Sequence, residues 1–156
     1  MKVLFVCSGN ICRSPAAAAY LKHRASALGV ACIDVDSAGT LGIEGQSMCP
    51  DAATVLGEQG IAAGEHRSKG VRDGDVRAAD WIITMERSHL AYLAIHHPEG
   101  NGRRLLLRAF ERGSTPAATP ADLEDPYGQP IDVYRKQMPL IGRCVDHFLR
   151  HIHPGP

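Results

Sequence analysis

The distribution of apolar and polar residues divides the chain into short β-prone segments and longer segments with helical spacing. Four segments are typical of strands: residues 3–6, 31–40, 79–85 and the shorter 103–110. Four others have the apolar spacing of helices: residues 16–28, 50–59, 86–97 and 131–152. The first strand segment is apolar at every position, which predicts a strand covered on both faces.

These segments follow one another as strand, helix, strand, helix, strand, helix, strand, long loop and helix. The alternation predicts an α/β fold of three layers, with a central four-stranded parallel sheet and helices on both faces. At 156 residues the chain is expected to form one domain, residues 1–156. Ligands of such folds bind at the carboxyl ends of the strands, which directs attention to the turn after the first strand.

Residues that begin and end helices agree with this division. Ser14 is predicted to be the N-cap of the first helix, with Pro15 at its first position. Gly29 and Gly60 are predicted to end the first and second helices. Residues 111–130 are rich in Pro, Gly, Ser and Thr and predict a long surface loop, and loops of this length in compact domains are often functional.

The composition excludes some classes of function. Lys plus Arg and Asp plus Glu are equal at 17 each, so nothing suggests a protein that binds nucleic acid or a membrane through a basic excess. The five cysteines form no C-x-x-C pair, which favours free thiols in a reducing compartment over disulfides or structural zinc. We therefore expect a cytoplasmic protein without a metal or another cofactor.

The N-terminal apolar run is too short for a secretory signal. It ends after residue 6, and polar or small residues follow at once, namely Ser8, Gly9 and Asn10. No later apolar stretch reaches the length needed to cross a bilayer. We expect no insertion into a membrane.

The segment VCSGNICRSP, residues 6–15, places candidate chemistry at the predicted ligand-binding edge. A loop of this kind before a helix can turn several backbone N–H groups inward and bind an anion. Arg13 can hold two oxygens of a phosphate at once. Cys7 lies beneath that site, where positive potential favours the thiolate, so the segment predicts covalent phosphoryl transfer to sulfur.

The spacing alone is weak evidence, because Cys144 and Arg150 have it too. That second pair belongs to a helical pattern without glycine, where residues six apart point in different directions and cannot surround an anion. The strand before the first copy, the Gly-Asn within it and the Ser-Pro after it make that copy specific.

VCSGNICRSP resembles the phosphate-binding signature of the low-molecular-weight protein tyrosine phosphatases, and the similarity extends over essentially the whole chain. DSAGT (36–40), HRSK (66–69) and DPY (125–127) fall where that family has matching segments. The resemblance implies a phosphotyrosine-protein phosphatase in which Cys7 forms a phosphocysteine intermediate. It implies that the phosphate contacts residues of this segment, namely Ser8, Gly9, Asn10, Ile11, Cys12, Arg13 and Ser14.

A general acid must protonate the leaving oxygen, and a carboxyl group on a mobile loop could supply the proton. Asp122, Glu124 and Asp125 are candidates, and Asp125 has a modest advantage because Pro126 holds it in an extended conformation. The resemblance selects Asp125, which would then activate the water that releases phosphate. Tyr127 would stand at the pocket mouth and pack on a substrate ring, or it is simply an exposed loop residue.

The resemblance also implies supporting roles. Asn10 and Ser14 would shape the loop, with Ser14 stabilising the leaving thiolate. Ser37 and His66 would brace Asn10, although each could equally be a local turn or cap residue.

The remaining cysteines have several interpretations. By resemblance, Cys12 could form a reversible disulfide with Cys7, or it is a small buried residue. Cys32 and Cys144 are predicted to be core residues. Cys49 stands where relatives usually have Asp before Pro, so any role of that acid is in doubt.

At other positions the sequence resembles that of a bacterial branch of the family, which is associated with capsule and exopolysaccharide synthesis. Leu41 and Ile43 stand where many relatives have Trp or Tyr, and Gly128 follows Tyr127 where relatives often have a second tyrosine. The expected partner is a phosphotyrosine-containing protein, for which a bacterial tyrosine kinase is one candidate, and the expected state is a monomer or weak dimer.

Three alternatives remain. An arsenate reductase would use further cysteines in the mid-to-late chain, but none lies between Cys49 and Cys144. A protein-arginine phosphatase tends to carry Thr where this chain has Ile11. A phosphate-binding module without catalysis would be expected to lack the nucleophile or the acid, and both are present.

Overall fold

A four-stranded parallel sheet forms the centre of the computed structural model, which describes residues 1–155. The strands are β1 (Lys2–Cys7), β2 (Asp34–Gly39), β3 (Trp81–Thr84) and β4 (Arg103–Leu106), in the spatial order β2-β1-β3-β4. All three strand pairs are parallel, in a register that places Val3 opposite both Val35 and Trp81.

Within residues 1–155, five α-helices cover the two faces of the sheet. They are α1 (Arg13–Ala27), α2 (Pro50–Glu58), α3 (Asp73–Ala78), α4 (Arg87–His96) and α5 (Ile131–Ile152). A 3₁₀ turn, Leu107–Phe110, follows β4. The predicted fold class, a three-layer α/β structure with a parallel sheet of four strands, is confirmed.

Alternate residues of β1 face the two layers, as the period of a strand requires. Val3 and Phe5 belong to the large core under α1, α2 and α5, whereas Leu4 and Val6 pack with residues of α3 and α4. Phe148 of α5 meets Phe5 edge-on at 6.5 Å between ring centroids. Both faces of β1 are therefore covered, and its carboxyl end has a fixed position in the molecule.

The helix ends agree only in part with the sequence prediction. Gly29 and Gly60 follow α1 and α2 with φ of 67° and 73°, the left-handed conformation expected after a helix. The prediction of Ser14 as an N-cap is wrong: α1 begins at Arg13 after Cys12, and the Ser14 hydroxyl instead contacts Cys7 and Asn10.

Three further differences concern short elements and one cysteine. Helix α3 is not predicted, because it has six residues with only Val76 buried and gives no readable period. The predicted last strand ends at Leu106 and continues as the 3₁₀ turn. Cys32 is exposed in the turn before β2 rather than part of the core, whereas Cys144 is buried as predicted.

The elements of the sheet and its layers extend from residue 2 to residue 152. Pro156, the last residue of the predicted domain 1–156, lies outside the described residues. Within residues 1–155, no helix combines the length and the apolar character needed to cross a membrane.

Candidate active site

Residues 8–12, here called the anion loop, join β1 to α1 at the centre of the sheet. Cys7 is the last residue of β1 and is buried. The Thr40 N–H donates to the Cys7 carbonyl at 2.9 Å and the Leu41 N–H to the Ser8 carbonyl at 3.0 Å. The hydrogen bonding between β1 and β2 thus continues into the loop and places the thiol at the ligand-binding edge of the sheet.

Gly39, the last residue of β2, allows this close approach. A Cβ at this position would lie 2.6 Å from the Ser8 carbonyl oxygen and 2.9 Å from the Asn10 amide nitrogen. Both are backbone atoms of the anion loop, which cannot move aside as the end of a flexible side chain could. The glycine of DSAGT therefore lets β2 pack directly against the loop.

Asn10 turns the anion loop through a left-handed conformation. Its φ is 56°, which few residues other than glycine adopt, and it is fully buried. Its Nδ2 donates to Ser14 Oγ and Ser37 Oγ, each at 2.9 Å, and its Oδ1 accepts from the Lys69 N–H at 2.9 Å. These hydrogen bonds offset the cost of the strained backbone.

Two donors surround the Cys7 sulfur. The backbone N–H of Asn10 donates to Cys7 Sγ at 3.2 Å, and Ser14 Oγ lies 3.0 Å from the same atom. Because Asn10 Nδ2 donates to the Ser14 oxygen, the Ser14 hydroxyl proton is free to be donated to the sulfur. Both groups are therefore placed to donate hydrogen bonds to the sulfur.

His66 holds the anion loop from the segment that follows α2. Its Nε2 donates to the Asn10 carbonyl oxygen at 2.6 Å. Burial lowers the pKa of His66, against the opposing effect of this hydrogen bond, and so favours the neutral ring. Ser37 and His66 both contact Asn10, one at its side chain and the other at its backbone.

Arg13, the first residue of α1, is only 1% exposed. Its Nη1 donates to the Glu86 carboxylate and, at 2.6 Å, to the Leu123 carbonyl oxygen. Its Nη2 lies 3.4 Å from Asp125 Oδ2. The buried Nε has no hydrogen-bond partner among residues 1–155, and an oxyanion in the loop is the kind of acceptor that could pair with it.

The long loop 111–130, here called the acid loop, brings Asp125 to the pocket. Its backbone is fixed on two sides: the Leu123 N–H donates to the Met85 carbonyl at 2.8 Å, and Gln137 Nε2 donates to the Glu124 carbonyl at 2.6 Å. These bonds hold the chain just before Asp125, so its carboxyl group is presented by an anchored segment.

Of the three acids that the sequence offers, Asp125 alone lines the pocket with Cys7 and Arg13 within the described chain. Its Oδ1 accepts from the Tyr127 N–H at 3.1 Å, and its carboxyl group is about half exposed. Asp122 is occupied elsewhere, since its carboxylate accepts from the backbone N–H of Arg87 at 2.9 Å.

Glu124, the third acid, is exposed and contributes a backbone carbonyl to the packing of the acid loop. Its side chain does not line the pocket, in contrast to that of Asp125.

Two residues at the start of α4 join the site without having been predicted. Glu86 binds Arg13, and buried His89 lies 2.9 Å from Ser8 Oγ through its Nε2. The Glu86 N–H donates to His89 Nδ1 at 3.1 Å, so Nε2 carries the proton and donates to Ser8. The sequence signal for a helix start at Glu86 is present, but the contact with a loop nearly eighty residues earlier is not readable from it.

A pocket of about 200 Å³ opens above Cys7. Its lining comes from the end of β1, the anion loop, the start of α1, the segment after β2 and the acid loop. The residues are Cys7, Ser8, Gly9, Ile11, Cys12, Arg13, Leu41, Ile43, Asp125 and Tyr127. Tyr127 is 68% exposed and Leu41 67% exposed, so both stand at the mouth. The pocket combines a floor formed by Cys7, the anion loop and Arg13 with apolar side chains in its walls.

Comparisons with known proteins extend over the same chain. A family model described as "Low molecular weight phosphotyrosine protein phosphatase" matches residues 2–154. A protein-arginine-phosphatase of Geobacillus stearothermophilus is 36% identical over 94% of this chain and 93% of its own. A probable low molecular weight protein-tyrosine-phosphatase, EpsP, of Ralstonia nicotianae is 33% identical over 96% of this chain and 94% of its own.

A solved structure shows the same fold. The crystal structure of a low molecular weight protein tyrosine phosphatase from T. tengcongensis superposes with a TM-score of 0.86 at 34% identity, covering 96% of this chain and 98% of that one.

Proposed function

The chain belongs to the low molecular weight phosphotyrosine protein phosphatase family, and from that premise we propose that it hydrolyses phosphotyrosine in proteins through a phosphocysteine at Cys7. The observation that carries the proposal is the arrangement of three groups around one pocket, with the Cys7 thiol at its base and Arg13 and Asp125 in its wall. No single element supplies all three groups.

In the first step the phosphate binds above the Cys7 sulfur. The N–H groups of the anion loop and the guanidinium of Arg13 hold its oxygens and stabilise the charge that develops in the transition state. The thiolate attacks phosphorus, an S–P bond forms, and the P–O bond to the tyrosyl oxygen breaks.

Asp125 then supplies the proton that the tyrosyl oxygen needs in order to leave as a phenol. Its position in the pocket wall, 3.4 Å from Arg13, puts it within the dimensions of one bound phosphate ester. The proton comes from the half-exposed carboxyl group on the acid loop, which is left as the carboxylate for the second step.

The second step releases phosphate. The Asp125 carboxylate takes a proton from water, the water oxygen bonds to phosphorus, and the S–P bond breaks. The leaving sulfur carries the electron pair as a thiolate, which Ser14 Oγ at 3.0 Å and the Asn10 N–H at 3.2 Å stabilise.

The walls of the pocket favour an aromatic substrate. Ile11, Leu41 and Ile43 present apolar surface above the anion loop, and Tyr127 at the mouth can stack on a ring. Phosphoarginine is the second candidate substrate, because one relative at 36% identity is a protein-arginine-phosphatase. The branched apolar side chain of Ile11 offers no hydrogen bond to a guanidinium and argues for phosphotyrosine.

The physiological setting is part of the proposal. Five free thiols among the described residues fit a reducing, cytoplasmic compartment. The similarity to a probable tyrosine phosphatase named EpsP supports a phosphoprotein substrate, for which a bacterial tyrosine kinase is our candidate. We expect the chain to act as one domain, in a monomer or a weak dimer.

The test is to offer one preparation a phosphotyrosine peptide, a phosphoarginine peptide and arsenate with a thiol reductant, without added metal. We expect turnover of the phosphotyrosine peptide to exceed the others and Cys7→Ser to abolish it. Faster release of phosphate from the phosphoarginine peptide would show that phosphoarginine, rather than phosphotyrosine, is the preferred substrate. Full activity of Cys7→Ser would refute the covalent mechanism.

A further inference from the structure

Cys12 at the end of the anion loop and Cys49 at the start of α2 form a pair of buried thiols that has no role as a pair in the proposed reaction. Cys12 Sγ and Cys49 Sγ lie 3.8 Å and 3.7 Å from the same atom, the hydroxyl oxygen of Tyr134. The backbones are adjacent as well, since the Cys49 N–H donates to the Ile11 carbonyl at 3.0 Å.

The two thiols differ in their tendency to ionise. The interaction with Cys12 lowers the pKa of Cys49, and the adjacent start of α2, of which Cys49 is the N-cap residue, adds to the effect. The interaction with Cys49 and burial raise the pKa of Cys12. A thiol that ionises readily therefore lies beside one that keeps its proton.

We propose that Cys12 and Cys49 are a site of reversible oxidative modification, at which a hydroperoxide converts the two thiols into a disulfide that fastens the anion loop to the start of α2. The contacts of Cys12 lead toward Cys49 and Tyr134, whereas the Cys7 sulfur contacts Ser14 and Asn10. The pair is therefore distinct from a bond between Cys7 and Cys12.

The chemistry balances with hydrogen peroxide as the oxidant. The Cys49 thiolate attacks one peroxide oxygen, an S–O bond forms, the O–O bond breaks, and hydroxide leaves and is protonated to water. The Cys12 sulfur then attacks the sulfenic sulfur of Cys49, the S–S bond forms, the S–O bond breaks, and the departing hydroxide takes the Cys12 proton as water. Two thiols lose two electrons, and one peroxide is reduced to two waters.

Cys12 lines the pocket wall and Cys49, which is 7% exposed, lies behind it, so the oxidant must pass Cys12 to reach Cys49. A disulfide would draw the two sulfurs to a bond length of about 2.0 Å. Cys12 directly precedes Arg13 and follows Ile11, whose carbonyl already binds α2. Pulling on this short segment displaces the donors that hold a phosphate, and we expect phosphate affinity to fall by about tenfold, the effect of losing one charge-assisted hydrogen bond.

The test uses Cys7→Ser, which removes the nucleophile and leaves the pair intact. The variant is treated with hydrogen peroxide, free thiols are alkylated, and peptides are mapped by mass spectrometry without reduction. We expect a peptide that links Cys12 to Cys49, its loss on treatment with a dithiol, and weaker binding of inorganic phosphate by calorimetry while the link is present. Cys32→Ser in the same background is the matched control, because it removes an exposed thiol and should leave the link unchanged.

Two results would overturn the inference. In the first, Cys12 and Cys49 both remain alkylatable in Cys7→Ser while wild-type protein links Cys12 to Cys7. In the second, the Cys12–Cys49 disulfide forms but phosphate affinity does not change, which would show that the disulfide does not regulate phosphate binding. The expected effect on phosphate binding rests on the proposed function. Peptide mapping of the disulfide requires no turnover, so the disulfide and the phosphatase activity can be refuted independently.

Discussion

Asp125 and Arg13 approach each other across the pocket at 3.4 Å between Oδ2 and Nη2. A phosphate that binds between them competes for the guanidinium and places negative charge beside the carboxyl group. A phosphate ester bound there has its leaving oxygen within reach of the carboxyl group that can protonate it.

Replacing Asp125 with Asn should reveal this role. Asn cannot donate a proton with comparable ease, so we expect kcat on a phosphotyrosine peptide to fall by about 10²- to 10⁴-fold, the usual range for a lost general acid. The loss should be smaller on p-nitrophenyl phosphate, whose leaving group needs less protonation. Steady-state kinetics on both substrates provide the measurement.

Glu124→Gln is the matched control, because Glu124 is the adjacent carboxylate and its side chain is outside the pocket. It should keep near wild-type kcat. An equal fall in the two variants would mean that charge on the acid loop, rather than a specific acid, supports the reaction.

At the residue scale, local sequence predicts chemistry better than it predicts partners. Cys7, Arg13 and Asp125 stand in short motifs whose spacing and resemblance are enough to assign them candidate roles. Glu86 and His89 lie in an ordinary helical pattern, and only the packing of α4 against the anion loop brings them to the site. Contacts between residues far apart in the chain have no local signal.

At the scale of elements, the start of α4 acts on the anion loop through one hydrogen bond. The Glu86 N–H holds His89 Nδ1, which directs the Nε2 proton to Ser8 Oγ. The same helix end carries the carboxylate that binds Arg13. One element therefore positions both the first residue of the loop and the arginine that follows it.

This coupling is testable with a double-mutant cycle. His89→Phe keeps a buried ring and removes the donor, and Ser8→Ala removes the acceptor. Each should lower kcat/KM by about 3- to 10-fold, the effect of one neutral hydrogen bond. If His89 acts through Ser8, the double variant should lose little more than either single variant.

His96→Phe is a suitable control, since His96 lies on the exposed side of the same helix. It should leave kcat/KM unchanged. Fully additive losses in His89→Phe and Ser8→Ala would contradict action through the hydrogen bond.

Long elements are predicted well and short ones are not, for a physical reason. The 22-residue helix α5 has enough turns to display its period, and the predicted bounds agree with it. Helix α3 and the 3₁₀ turn after β4 span at most six residues and depend on tertiary contacts. The mistaken N-cap has a related origin, because the Ser14 hydroxyl contacts Cys7 and Asn10 instead of a helix N–H.

At the scale of the whole molecule, distant segments of the chain meet at one edge of the sheet. The end of β2 supplies Gly39, the segment after α2 supplies His66, and the acid loop supplies Asp125. The fold class predicts that such segments meet at the carboxyl ends of the strands. It does not predict which side chains then touch, since that depends on packing within a few ångströms.

This assembly makes stability depend on pH through two histidines. Burial lowers the pKa of His89, the charge of Arg13 lowers it further, and the carboxylates of Glu86, Asp125 and Asp122 only partly oppose them. Burial likewise lowers the pKa of His66. In the unfolded chain both titrate at about pH 6.5, so at lower pH the unfolded state binds more protons than the folded state.

The contribution of the two histidines to the free energy of unfolding should therefore be fully present above about pH 6.5. It should decline as the pH falls below that value. We expect the Tm of the wild-type protein to be lower at about pH 5.5 than at about pH 7.5, a window in which carboxylates with ordinary titration stay ionised. His89→Phe and His66→Gln should each weaken this dependence, even if they lower the Tm at neutral pH, because each removes one group that gains a proton on unfolding. A Tm that stays constant or rises toward pH 5.5, measured by scanning calorimetry, would contradict this reading. It would mean that the rings are already protonated in the folded protein, and a protonated His89 could not accept the Glu86 N–H at Nδ1.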